Sequence, residues 1–465
     1  MNLPEKFCEK MKALLGSEYD AFIKAFDSSD TRGILINETK SGSKQAVLNE
    51  FGSLKEVPWC SLGYYVDKDK IRGTHPYHMA GLFYFQEPSA MCAAAGLPIV
   101  SGDKVLDLCA APGGKTAQAA ARLCGSGVLV SNEIIKSRAA ILSENVERLG
   151  LTNVIVTNET PQRLAKKYTG FFDKIIVDAP CSGEGMFRKN PNAAEEWSPE
   201  HVLSCAERQK KILECAAAML KTGGLLMYST CTFAPEENEM IAAHIVQNGF
   251  EICDIPELSM LSPGRTQWSG TNIDMTKTRR IFPHIENGEG HFAALFRKTA
   301  ESQSTGVKVS EKQNKRTNKK SASDLQAALK MFEEFEDKYL TTSIVGHFLL
   351  FGDNLYCCLE GIDIDNIKVM RCGLHVGTIK KNRFEPSHSL ALALRKCDFK
   401  LSLDFSCSDR TLLNYLCGHT ISTDKTGWTA ICVNGFPIGW GKGSQGVLKN
   451  HYPKKLRLNE SQLNF

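Results

Sequence analysis

Between residues 104 and 229, five short, almost wholly apolar runs alternate with stretches of helical pattern. No other feature restricts the fold of this chain as strongly. The runs cover 104–109, 127–133, 153–158, 173–178 and 224–229. A strand with one wet face alternates apolar and polar residues. One that is apolar throughout is covered on both faces, and helices between such strands imply a parallel sheet. The intervening segments suit helices: 115–123 is rich in alanine, and 136–149 stops at Gly150, a residue fitted to end a helix. The expected fold class is α/β, a doubly wound, Rossmann-like sheet.

At 465 residues the chain is too long for one ordinary core, so several units are expected. Residues 1–75 read as a small N-terminal domain in which Phe7, Met11, Leu14 and Leu15 recur at helical spacing, followed by Tyr19, Phe22 and Phe26. Residues 76–299 hold the α/β catalytic domain. The stretch 300–323 is poor in large apolar residues and carries Lys312, Lys315, Arg316, Lys319 and Lys320, the composition of a basic flexible linker. An intermediate α+β domain follows at 324–385, and a basic, aromatic-bearing domain at 386–465. The net charge of +4 is too small to argue for a nucleic-acid partner by itself. Seventeen cysteines with neither a secretion signal nor C-x-x-C spacing indicate free thiols in a reducing cytoplasm, without a structural zinc. No run is long enough to span a membrane.

Ligands of an open α/β sheet bind beyond the carboxyl ends of its strands, where the chemistry-bearing residues collect. After the first strand comes the turn Cys109, Ala110, Ala111, Pro112, Gly113, Gly114, Lys115. Its glycines admit a ligand close to the backbone, yet it has neither Walker spacing nor the G-x-G-x-x-G of dinucleotide sites. Glu133, at the end of the second strand, is placed for ribose hydroxyls. A glycine turn and a ribose acid without a phosphate cradle point to S-adenosylmethionine.

Two later strands end in Asp178-Ala179-Pro180-Cys181-Ser182-Gly183 and Ser229-Thr230-Cys231-Thr232. Cytosine C5 is a poor nucleophile. A thiolate adding to C6 makes C5 enamine-like and divides one hard step into easier ones. Asp178 is expected to hydrogen bond the N3 edge of the base and donate a proton there. Spacing alone does not decide which cysteine attacks. Adenine amine methylation would put an Asp/Asn-Pro-Pro-Tyr/Phe motif where this chain has Cys181. A target base must be unstacked to be reached, and Phe187, Arg188 and Lys189, just past the catalytic turn, suit a stacked base and a phosphate. In the glycine-rich tail, Lys442, Lys454 and Lys455 lie among aromatics, a further candidate RNA-binding surface.

These motifs together resemble the Nop/Sun family of RNA 5-methylcytosine methyltransferases. The overall layout is similar to the bacterial RsmF-type enzymes of 16S ribosomal RNA. The resemblance covers nearly the whole chain, including Leu3 to Phe7, Tyr84 to Met91, Ile281 to His284 and Gly290 to Phe292. It implies that Cys231 is the nucleophile and Cys181 assists adduct breakdown. It also implies that residues 109–115 and Glu133 bind the cofactor, and that Asp178 borders both cofactor and base. Where relatives carry an adenine-contacting aspartate, this chain departs and Thr160 takes the position. The tail resembles a PUA-like β-barrel. The expected protein is a cytoplasmic methyltransferase, a monomer by default, whose partner is 16S ribosomal RNA or the small subunit. Two alternatives are the same chemistry on transfer RNA and a non-catalytic ribosome-assembly factor, the latter disfavoured by the intact glycine turn and cysteines.

Overall fold

The computed structural model describes residues 3–67, 70–299, 322–381 and 383–462. Its centre is a ten-stranded sheet. Five parallel strands form the middle, in the spatial order Leu220–Thr230, Phe172–Asp178, Lys104–Asp107, Val128–Asn132, Val154–Thr157. The order reverses direction around Lys104–Asp107, so a crevice opens at the carboxyl ends of the central strands. Successive side chains serve opposite faces: Val105, Leu129, Val154 and Ile176 enter one core, while Leu106, Val130, Ile155 and Ile175 enter the other. This two-sided burial accounts for the continuous apolar runs. The antiparallel strand His291–Lys298 borders Leu220–Thr230 and brings the end of the domain back to the crevice.

The other edge of this sheet departs from the expected division. Val369–Cys372, inside the intermediate region, pairs antiparallel with Val154–Thr157. That region is therefore bound into the catalytic sheet by backbone hydrogen bonds. The N-terminal sheet also runs on past residue 75, because Phe83–Phe85 pairs with Gly33–Ile36. A three-residue strand without period-2 alternation carries little sequence signal. Of the expected linker, residues 300–321 lie outside the described residues, and the helix Ala322–Tyr339 begins slightly earlier than expected.

The N-terminal helices Glu5–Leu15 and Tyr19–Ala25 bury Phe7, Met11, Leu15 and Phe22, with Phe26 just beyond. Leu14 and Tyr19 are only half-buried. Their partners are Phe187, Trp197, Phe233 and Phe282 of the catalytic domain, so these helices share its core. The four-stranded N-terminal sheet packs against the five-stranded half-barrel of the C-terminal unit, with Ile34, Ile36 and Phe83 meeting Ile431, Val433 and Ile438. Among the described residues no helix is long and apolar enough to cross a membrane.

Candidate active site

The strands Phe172–Asp178 and Leu220–Thr230 run parallel with Asp178 opposite Ser229. The turns after them therefore leave the sheet side by side. Cys181 Sγ lies 3.3 Å from Cys231 Sγ, and both are free thiols. Gly185 N–H donates to the Cys231 carbonyl at 2.9 Å. A Cβ on Gly185 would come within 2.8 Å of the Gly290 carbonyl and 3.0 Å of that of Cys231, so only glycine permits this approach.

Glu237 secures the first turn from behind. It accepts from Ser182 N at 3.0 Å, from Gln209 Nε2 at 2.8 Å, and from the Ser182 hydroxyl. The Ser182 and Thr232 hydroxyls lie 2.9 Å apart, linking the two turns. Burial raises the Glu237 carboxyl to about 7. Contact with Cys231, then burial, pushes the Cys181 thiol well above its ordinary range. Cys181 is thus held as a thiol, its sulfur within hydrogen-bond reach of the Cys231 sulfur.

Asp178 faces three polar groups. Lys115 Nζ is 2.7 Å from Oδ2, the Ser229 hydroxyl donates to Oδ1 at 2.8 Å, and His291 Nε2 lies 3.7 Å from Oδ1. Burial opposes its ionisation, but Lys115, His291 and the Ser229 hydroxyl together hold it below the usual carboxylate range. Lys115 is buried too, and the carboxylates of Asp178 and Asp107 keep it protonated against that burial. Asp178 is consequently a hydrogen-bond acceptor. The expectation that it donates a proton at N3 gives way to this ion pair.

The glycine turn 109–115 is held by Arg138 Nη2 to the Ala111 carbonyl at 2.8 Å and Asn145 Nδ2 to the Pro112 carbonyl at 2.9 Å. Gly113 adopts φ +121°, and a Cβ on Gly114 would meet the Gln86 amide at 2.8 Å. Cys109 and Ala110 to Lys115 thus form a cradle that larger residues would fill. Burial raises the Cys109 thiol, which keeps it protonated. Glu133 is buried, accepts from Ile135 N at 2.9 Å, and lies 3.4 Å from Arg138. Beneath the turn, Asp107 accepts from the Thr116 hydroxyl at 2.8 Å, and burial raises it to about 7. Among the described residues, Asp107 Oδ1 and Gln86 Oε1 are buried acceptors without a partner. Unfilled acceptors beside a glycine cradle fit a donor-bearing cofactor such as S-adenosylmethionine.

Other expected residues sit elsewhere. Thr160 caps the helix Pro161–Lys167, its hydroxyl oxygen accepting from Arg163 N, so that acceptor is already engaged. Phe187 is fully buried among Phe7 and Trp197, and no base can stack on it. Arg188 is also internal: it pairs with Glu289 at 2.7 Å and donates to the carbonyls of Ala25 and Gly288. Both are corrected from RNA contacts to packing residues, because the N-terminal helices cover this loop. Lys189 is half-buried. In the tail, Lys442 lies over the Trp428 ring at 5.2 Å, Lys455 pairs with Glu144 at 2.6 Å, and Lys454 is exposed. Arg138, Glu237 and His291 were missed. Of these only His291 lies in a segment singled out from the sequence, through its neighbours Gly290 and Phe292.

The profile described as 16S rRNA methyltransferase RsmB/F matches residues 94–297. Profiles of the RsmF N-terminal domain, first C-terminal domain and PUA domain match 3–88, 334–394 and 402–458. The ribosomal RNA small subunit methyltransferase F of Vibrio vulnificus is 31% identical over 475 residues, covering 98% of this chain and 97% of that protein. The protein of the same name from Aliivibrio fischeri is 30% identical over 481 residues, with the same coverage. Among solved structures, a methyltransferase homolog protein from Pyrococcus horikoshii is 30% identical with a TM-score of 0.55, covering 61% of this chain and 91% of that one. NSun6 from Pyrococcus horikoshii, solved with SFG, is 22% identical with a TM-score of 0.56 over 64% of this chain and 98% of its own, a likeness of fold.

Proposed function

The chain belongs to the RsmB/F family of 16S ribosomal RNA methyltransferases, and from that premise we propose that it methylates C5 of a cytosine in 16S ribosomal RNA through a covalent bond from Cys231 to C6. The observation that carries this reading is the pair of thiols 3.3 Å apart at adjacent strand ends, beside the Lys115–Asp178 ion pair.

Residues 109–115 and Glu133 would hold S-adenosylmethionine, which when bound supplies an electrophilic methyl group. Cys231, its thiol proton given up to solvent, adds to C6 as the thiolate, and the electrons of the C5–C6 double bond become available at C5 to form the bond to the methyl group. Asp178, kept ionised, accepts a hydrogen bond from the base amine and fixes the ring's rotation. Lys115 offsets the negative charge that moves onto the ring. For release, the C5 proton leaves to a base, the double bond re-forms, and the S–C6 bond breaks. Cys181, held as a thiol, is placed to give its proton to the departing Cys231 sulfur. The C-terminal unit, matched by the PUA-domain profile, would add sequence-independent grip on folded RNA.

The test is tritiated S-adenosylmethionine with purified small subunits, deproteinised ribosomal RNA and bulk transfer RNA, followed by nucleoside analysis. Label in 5-methylcytidine from a ribosomal substrate is the expected result. Label confined to transfer RNA would overturn the substrate, and label in another nucleoside would overturn the chemistry. Cofactor binding without label in any RNA would favour an assembly factor.

A further inference from the structure

Glu237 and Asn238 are neighbours in the chain, both fully buried, and each side chain is spent on a different cysteine turn. Glu237 takes the Cys181 turn: Ser182 N–H donates to it at 3.0 Å, and the Ser182 hydroxyl donates to it as well. Asn238 takes the Cys231 turn. Its Oδ1 accepts from the Thr230 hydroxyl, and its Nδ2 donates to the Thr232 carbonyl at 2.9 Å, so it grips the residues on either side of Cys231. The hydrogen bond between the Ser182 and Thr232 hydroxyls, 2.9 Å long, closes the frame.

Helix architecture does not account for either side chain. Asn238 occupies the N-cap of the helix Glu239–Gln247, where asparagine ordinarily accepts from an amide of the first turn, yet its side chain makes no capping bond. Glu237 brings a carboxyl into the core, a costly burial that its hydrogen bonds to the turn offset. One peptide bond joins the two residues, so together they set the spacing of the turns, at which the sulfurs stand 3.3 Å apart. We propose that Glu237 and Asn238 are positioning residues, one for each thiol. Asn238 aims Cys231 at the base for addition, and Glu237 keeps Cys181 within reach of the departing sulfur. The inference rests on the covalent cytosine-C5 reading.

Rapid-quench reactions of the full chain with 16S ribosomal RNA and S-adenosylmethionine separate the two steps. Methyl incorporated in the first turnover reports addition, and protein–RNA adduct that survives denaturing electrophoresis reports failed resolution. Glu237→Ala is expected to accumulate about tenfold more adduct than wild type, with a first-turnover rate within about twofold. Glu237→Gln keeps a carbonyl for the Ser182 N–H and an amide to face the Ser182 hydroxyl, and is expected to restore the wild-type adduct level. Asn238→Ala is expected to slow the first turnover about tenfold without a build-up of adduct. Should either alanine variant not fold, Ser182→Ala, which removes the hydroxyl between Glu237 and Thr232, or Asn238→Ser takes its place. The same profile from both variants, whether both steps slow or neither changes, is what a merely structural role would give, and it overturns the proposal. Cys181→Ala runs alongside, and its failure to accumulate adduct would instead refute the covalent reading beneath.

Discussion

Cys181 and Cys231 are chemically identical residues made unequal by their surroundings. Contact with Cys231 and then burial raise the Cys181 thiol well above its ordinary range and keep it protonated, and the proposed scheme gives it the part of returning a proton to the departing sulfur. The account therefore expects Cys231→Ala to abolish methyl transfer while leaving cofactor affinity nearly unchanged. Residual activity within about tenfold of the parent would remove Cys231 as nucleophile. These thiols, the Gly113–Gly114 turn and Asp178 were readable in the sequence because each lies in a short local motif at a strand end. His291 and Glu237 were not, because their roles arise from contacts that the sheet creates between distant segments. Thr160 has a local part that its motif position does not announce: its hydroxyl caps the helix Pro161–Lys167.

At the scale of elements, the loop bearing Phe187 and Arg188 shows how composition can mislead. An aromatic beside two cations has the pattern of an RNA contact, but the helix Glu5–Leu15 supplies a cover that the loop's own sequence does not announce. Arg188→Ala would leave Glu289, whose side chain is fully buried, without its cation, with only the Thr31 N–H and hydroxyl still donating to it. Unfolding in urea should register a loss of about 3–5 kcal/mol. An RNA-contact role would instead leave stability unchanged and lower the salt dependence of RNA binding by about one charge. Glu237, behind the cysteine turns, makes a pH prediction. Its folded pKa of about 7 lies above the ordinary 4.5, so between those values the folded state holds a proton that the unfolded chain has released. Its contribution is fully present below pH 4.5 and is lost as pH rises through 7. Glu237→Gln should flatten the decline of stability across that window. An unchanged slope would mean that Glu237 is ionised in the native protein.

Over the whole molecule, the C-terminal half is fastened to the N-terminal half at several points. Asn434 donates to the Tyr77 hydroxyl at 2.8 Å, Lys40 Nζ donates to the Leu392 carbonyl at 2.5 Å, and Val369–Cys372 covers the edge of the central sheet. A chain ending at residue 299 would expose Ile34, Ile36 and Phe83 and open that edge. It should aggregate or unfold at a lower temperature than the full chain, by light scattering and calorimetry. An unchanged midpoint would show that the apolar interface contributes little. The parallel core was legible because two-sided burial writes itself as continuous apolar runs. Val369–Cys372 was not, since pairing with a strand some two hundred positions away leaves no periodic mark in four residues.

The division of labour between the thiols is tested most directly by isolating Cys181→Ala with its substrate RNA and S-adenosylmethionine, and mapping any covalent protein–RNA adduct by peptide mass spectrometry. The account predicts an adduct that survives denaturing electrophoresis, with the nucleotide attached to Cys231. An adduct formed instead by Cys231→Ala, with the nucleotide on Cys181, would contradict it and reverse the two roles.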